Sequence, residues 1–212
     1  MTHPKAFRPE HWLNTRIVNQ PEELRRIYRL RYSVYCEERS FLRADRYPDG
    51  LEVDAYDSRS RCFAAFDRDD EVAGSVRLVL DEAGNVFPYQ EHCTPYENVA
   101  LPPSRVAGEV SRLVLNQNCR TPPGGGNTGT VILTVYRQMY QYSLQHGIQF
   151  WYAAMERSLV RMMGRIGVEF QRIGPSVDYH GPVAPYLLEL SALQQRLAKV
   201  NPALLHWLDS EL

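Results

Sequence analysis

The chain has 212 residues, 44% of them apolar, and a formal net charge of −1. That length suits a single domain with a sizeable core, and the balanced charge argues against general nucleic-acid binding. The sequence holds no run of about 18 apolar residues that would span a membrane.

Met1 to Glu10 lack the apolar core of a signal peptide. Cys36, Cys62, Cys93 and Cys119 are widely spaced, without a C-x-x-C, and read as reduced thiols of a cytoplasmic protein. The histidines show no metal-ligand spacing, so no metal is expected.

Residues 1–18 read as a loose arm with a short strand at Thr15 to Val18. Pro21-Glu22-Glu23 opens a helix, because proline suits the first turn and carboxylates suit its positive end. The helix should run to about Glu38 with an apolar stripe of Leu24, Ile27, Tyr28, Val34 and Tyr35. Arg31 falls on that stripe, so it either meets an anion or snorkels out to water.

Residues 40–60 form an irregular loop in this reading. Its length suggests a functional segment. Its carboxylates, Asp54 and Asp57 among them, are candidate partners for Arg31 and Arg77; a solvated acidic turn is the alternative. Strands at Arg61 to Phe66 and Glu71 to Leu80 flank the turn signal Asp67-Arg68-Asp69-Asp70. In the second strand Arg77 shares a face with Ser75 and Val79. Residues 81–107 contain Pro88, Pro95, Pro102 and Pro103 and should run over the surface, with one short helix near Tyr89 to Cys93.

The stretch Gly108-Glu109-Val110-Ser111-Arg112-Leu113-Val114-Leu115 reads as a strand covered on both faces. Two charges there need partners or a task, since an unpaired buried charge costs several kcal/mol, of the order of ~3–5. Ideal pleating points Glu109 and Arg112 to opposite faces; a bulge would change that. The glycine triplet Gly124-Gly125-Gly126 leads into a helix from about Gly129 to Gln145, capped by Asn127 or Thr128 and ended by Gly147. It is either a phosphate cradle or a flexible linker.

Further on, the pattern gives a strand over Ile148 to Ala154, a helix over Glu156 to Ile166, strands over Val168 to Ile173 and Val183 to Leu190, and helices over Ser191 to Val200 and Pro202 to Leu208. Arg157, Arg161 and Arg165 recur at i, i+4 and i+8 on one helix side. The order predicts an α/β fold with a mixed sheet and helices on both faces. One domain is expected: an arm, helix and lid loop over 1–60, sheet and helices over 61–200, and a tail over 201–212.

The set Arg31, Tyr35, Phe41, Glu52-Val53-Asp54-Ala55-Tyr56-Asp57, Gly74-Ser75-Val76-Arg77 and Glu109-Val110-Ser111-Arg112-Leu113 resembles the autoinducer synthases. It is most similar to their N-acyl amino acid synthase relatives, in the branch of PEP-CTERM/exosortase system-associated acyltransferases. The resemblance implies a GNAT-like (acyl-CoA N-acyltransferase) fold and transfer of a fatty acyl chain from a thioester to an amine. Tyr35 and Phe41 stand where homoserine lactone makers carry Phe and Trp, which disfavours S-adenosylmethionine as acceptor. The acetyltransferase pyrophosphate motif is not cleanly present around Arg120 and the glycine triplet. That favours acyl carrier protein over coenzyme A as donor.

On this resemblance no tightly bound cofactor is needed. Glu109 would be the base that deprotonates the amine, and a backbone N–H beside a bulge in the central strand, within Arg112 to Leu115 and so including Leu113, would receive the oxyanion. Arg31, Asp54, Asp57, Arg77, Tyr35 and Phe41 would tie the lid to the sheet and hold the acceptor, an amino acid or similar small amine. Val131, Leu133, Met139, Trp151 and Met155 could line an acyl tunnel. The Arg157/Arg161/Arg165 stripe would suit an acidic carrier protein, or be a solvated face. Two other readings stand: an acyl-homoserine lactone synthase using S-adenosylmethionine, and a non-catalytic acyl-thioester or carrier-binding module.

Overall fold

Apolar strand runs separated by turn signals assemble into one eight-stranded mixed sheet in the computed structural model. The structure describes residues 13–81, 86–120, 128–179 and 181–210, with the side chains of 119 and 120 left aside. The candidate cap Asn127, the cradle or linker at 121–127 and most of the N-terminal arm lie outside the described residues, while Thr128, the other cap candidate, is the first residue of its helix.

The elements are β1 (Asn14–Val18), α1 (Pro21–Tyr32), β2 (Ser60–Phe66), β3 (Val72–Leu80), β4 (Ala107–Leu115), α2 (Gln117–Arg120) and α3 (Thr128–Gln145). They continue with β5 (Phe150–Glu156), α4 (Arg157–Arg165), β6 (Gln171–Arg172), β7 (Val177–Asp178), β8 (Pro182–Glu189), α5 (Leu190–Val200) and α6 (Pro202–Asp209). The sheet order is β1-β2-β3-β4-β5-β8-β6, with β7 also on β8. All pairs are antiparallel except β4 with β5, which run parallel. Among the described residues no helix is long and apolar enough to cross a membrane.

Strand alternation decides what each face buries. Phe63, Ala65, Val76, Leu78, Val110, Trp151 and Ala153 face α3, α5 and α6 in the main core. Cys62, Ala64 and Phe66 face α1. On the same side as α1, Val79, Ala107 and Tyr152 lie under Phe87, Tyr89 and Cys93 of the proline-rich excursion. Gly74 is required on the α3 side: an added Cβ would sit 2.8 Å from Val131 Cγ1 and 2.7 Å from Leu115 Cδ2.

Two sequence expectations need correction. The first helix does reach Glu38, but its last stretch, Ser33–Glu38, is wound as a π-helix. The expected strand over Val168 to Ile173 shrinks to Gln171–Arg172. Gly167 turns the chain at φ 94° just before it, and Val168 and Phe170 are spent on core packing.

Candidate active site

The central strand β4 is paired with β5 through Ala107, Gly108 and Glu109, opposite Phe150, Trp151 and Tyr152. Past Glu109 the two strands part, while β5 stays paired with β8 as far as Glu156. The gap opens a cavity of about 330 Å³. Val110, Leu113, Tyr136, Ala153, Met155 and Leu159 give it an apolar side, and Glu109, Ser111 and Arg112 a polar one. Val34, Tyr35, Arg39, Phe41 and Leu42 close it from the π-wound segment and the start of the lid loop.

A bulge sets the polar side. Between Arg77↔Ser111 and Ser75↔Val114, β4 carries one residue more than β3. Arg112 is at φ 51°, the left-handed region that a non-glycine residue occupies only when its surroundings hold it there. The bulge turns Arg112 to the face of Glu109 and Arg77, rather than to the opposite face that ideal pleating gives.

What holds Arg112 there is a closed ring of alternating charge. Arg31 Nε bonds to Glu52 Oε2, and its two terminal nitrogens grip Asp57 at 2.7 and 3.1 Å. Asp57 Oδ1 also accepts from Arg77 Nη1 at 3.0 Å. Arg77 Nη1 reaches Asp54 Oδ1 at 2.6 Å, and Asp54 Oδ2 accepts from Arg112 Nη2 at 2.9 Å. Arg112 closes the ring on Glu52 Oε1 at 3.0 and 3.1 Å. Each of three carboxylates bridges two of three guanidiniums, so the ring is neutral. Arg31, Arg77 and Glu52 are buried. Burial alone would raise the Asp54 and Asp57 carboxyls, but the arginines outweigh it and hold both below their ordinary value.

Glu109 stands apart from the ring. It is 2% exposed, and its Oε2 accepts the Tyr89 backbone N–H at 2.8 Å. Tyr89 stacks on Tyr152 at 4.9 Å, roofing the carboxyl. Burial pushes its pKa up to about 8, against the opposing pull of the Tyr89 N–H and of Arg77 and Arg112. A carboxyl in that range can exchange a proton at neutral pH.

Tyr35 stacks on Phe41 with ring centroids 6.4 Å apart and donates its hydroxyl to Leu113 O at 3.2 Å. The Arg112 guanidinium lies 5.4 Å from the same Tyr35 ring. The π-wound segment thus touches the bulge directly.

The residues singled out from sequence divide into groups. Glu109, Arg112, Leu113, Tyr35 and Phe41 line the cavity. Arg31, Asp54, Asp57 and Arg77 form the ring behind its wall together with Glu52 and Arg112, and Arg77 Nη2 is buried there without a hydrogen-bond partner among the described residues. Arg157, Arg161 and Arg165 are exposed on α4, which begins beside the cavity-lining Glu156. Of the suggested tunnel residues only Met155 lines the cavity; Val131, Leu133 and Met139 on α3 and Trp151 on β5 are packed in the core between that helix and the sheet. Sequence reasoning gave no role to Tyr89 or Arg39, and placed Glu52 only in the motif and among the loop's candidate carboxylates, without singling it out. Glu52 was findable by charge balance, since three arginines needing anions call for a third carboxylate.

A curated acyl-homoserine-lactone synthase of Aeromonas salmonicida is 24% identical over 125 residues, 59% of this chain and 59% of that protein. The matched segment therefore spans less than two thirds of the relative. The acyl-homoserine lactone synthase LasI superposes with a TM-score of 0.67 at 22% identity, covering 84% of this chain and 90% of that one. A putative N-acetyltransferase from Lactobacillus plantarum gives 0.57 at 16%, covering 85% and 99%. These structures establish a GNAT-like fold. The model of the family described as N-acyl amino acid synthase FeeM matches residues 26–190, through the ring, the bulge and the cavity, and the chain belongs to that family.

Proposed function

We propose that this chain is an N-acyltransferase that moves a fatty acyl group from a carrier-protein thioester to the amine of an amino acid or similar small amine. The observation that carries this reading is Glu109: a carboxyl with a raised pKa, on the wall of a half-apolar cavity that opens where β4 and β5 part. In the proposed reaction the amine attacks the thioester carbonyl, Glu109 takes the amine proton, directly or through water, and the thiol leaves with a proton. No covalent enzyme intermediate is required. The oxyanion would be received by a backbone N–H in the bulged stretch Arg112 to Leu115, a donor worth about 3 kcal/mol in such sites.

The acyl chain would lie along Val110, Leu113, Tyr136, Met155 and Leu159. The Arg157, Arg161 and Arg165 side chains, beginning one residue beyond the cavity wall, would meet the acidic carrier surface. The ring's part is to fix the bulge. We place the chain within the branch of PEP-CTERM/exosortase system-associated acyltransferases by the resemblance of its motifs, as a cytoplasmic enzyme.

The acyl-homoserine lactone reading is the second one, favoured by the Aeromonas relative's name. Mass spectrometry separates the two: the protein is incubated with long-chain acyl carrier protein, the amino acids and S-adenosylmethionine. An acyl amide is expected. An acyl lactone with methylthioadenosine would replace this reading by the second, and acyl binding without turnover would make the chain a binding module.

A further inference from the structure

One charged wall of the cavity has no part in the reaction described so far. The described lining residues bearing a carboxylate or guanidinium are Arg39, Glu109, Arg112 and Glu156. Arg112 is committed to Glu52 and Asp54, and Glu156 accepts from Ser158 Oγ at 3.2 Å. Among the described residues Arg39 pairs with no carboxylate; its guanidinium carbon lies 5.8 Å from the centre of the Phe41 ring.

Its position follows from the π winding. In a regular α-helix the Arg39 N–H would bond to the carbonyl of Tyr35. It bonds instead to Val34 O at 3.0 Å, one residue further back, and the Phe41 and Leu42 N–H groups both take Tyr35 O, at 2.8 and 3.1 Å. Ser40 then turns at φ 53°. The extra residue in the turn brings Val34, Tyr35, Arg39, Phe41 and Leu42 together on the cavity. Single π turns of this kind are concentrated at functional sites.

We propose that Arg39 is the receptor for the acceptor's carboxylate: it holds the α-carboxylate of an amino acid at the exposed rim and leaves the amine pointing inward to Glu109. This rests on the acyltransfer reading and deepens it by naming the residue that selects an amino acid over a simple amine. A guanidinium takes a carboxylate through two parallel N–H···O bonds, which orients as well as binds. The Phe41 ring beside the guanidinium limits its freedom before the acceptor arrives. Arg39 is a specificity residue here; the proton transfer remains with Glu109.

The test compares wild type, Arg39→Gln and Arg39→Lys, with an amino acid and its α-carboxamide as acceptors and acyl carrier protein as donor. Arg39→Gln should raise KM for the amino acid by about tenfold or more, the worth of a charge-assisted pair. It should leave kcat, the KM for the carboxamide and the KM for the carrier nearly unchanged. Arg39→Lys should recover part of the loss. Equal losses with both acceptors, or a rise confined to the carrier's KM, would overturn the proposal; the latter would make Arg39 a docking residue. Equilibrium binding of the amino acid to wild type and Arg39→Gln gives a reading that needs no turnover. Absent binding, or equal affinity in the two proteins, counts against Arg39, whereas failure to acylate any amine counts against the acyltransfer reading.

Discussion

Glu52→Gln is the sharpest perturbation of the charged ring. Glu52 is 0% exposed and bridges Arg31 and Arg112. The substitution keeps the shape but turns a neutral ring of three cations and three anions into one of charge +1. Arg31, 1% exposed, keeps only Asp57, and Arg112 keeps only Asp54. Removing one partner of a buried pair costs about 3–5 kcal/mol, because the remaining charge stays buried. For a domain of this size each kcal/mol lowers Tm by about 2–4 °C, so the expected drop is roughly 6–20 °C. Urea unfolding should show a lower midpoint with an unchanged m-value. Because Glu52 also holds Arg112 at φ 51°, a backbone state costing about 1–3 kcal/mol, Glu52→Gln and Arg112→Gln should be coupled by about 1 kcal/mol or more in a double-mutant cycle. Asp45→Ala, which removes the partner of exposed Arg43, is the control and should fall within about 0.5 kcal/mol of wild type. If Glu52→Gln behaves like that control, or if the two ring substitutions add independently, the ring is not what fixes the bulge.

Tyr35→Phe removes the hydroxyl bond to Leu113 O and should cost about 1 kcal/mol of stability, with a measurable fall in kcat because the bulge loses a tether; an unchanged kcat would detach Tyr35 from the chemistry. Reversing Arg157, Arg161 and Arg165 to Glu together should raise KM for acyl carrier protein and invert its salt dependence, so that added salt lowers KM by screening the repulsion, while sparing kcat; kinetics indifferent to the reversal would return the stripe to a solvated face. Asp54 and Asp57 titrate below their ordinary carboxyl value. The stability they supply is therefore full above that ordinary range and lost as pH falls through their depressed values. Acid unfolding of Asp57→Asn should lack the Asp57 share of that loss, starting from a lower plateau at neutral pH.

The strands, the hairpin turn and the main helices were legible because their cues are local. Asp67 to Asp70 sit between two apolar runs, and Pro21-Glu22-Glu23 open a helix. The bulge was implied by the family resemblance but not legible in the residues themselves: nothing in Glu109-Val110-Ser111-Arg112 marks an extra residue, since the bulge depends on β3 pairing alongside and on the ring beyond it. The π winding was equally hidden, because an apolar stripe through Val34 and Tyr35 fits either helical period closely enough over one turn. The ring was half legible. Arg31 on an apolar stripe called for an anion, but the partner set, Glu52 included, depends on how residues 40–60 fold back over the sheet. Four of the five tunnel residues failed for a related reason, Met155 alone lining the cavity: apolar positions on α3 and β5 pack a core as readily as they line a cavity, and only the parting of β4 from β5 decides which.

The central claim is that Glu109 is the base, and the pH dependence of kcat/KM tests it most directly. The carboxylate is the active form, and burial raises its pKa to about 8. Wild-type kcat/KM, which reports the free enzyme, should therefore climb as pH rises through about 8 and level off above it. The same shift means that the neutral carboxyl favours the fold fully below the ordinary carboxyl pKa, an advantage lost as pH rises through the raised one; Glu109→Gln should unfold with little pH dependence across that window. Its kcat/KM at the plateau should be lower by about 10²–10⁴-fold, and the limb near pH 8 should disappear. A folded Glu109→Gln protein that kept most of the wild-type rate, with the same limb, would contradict the account and move the base elsewhere.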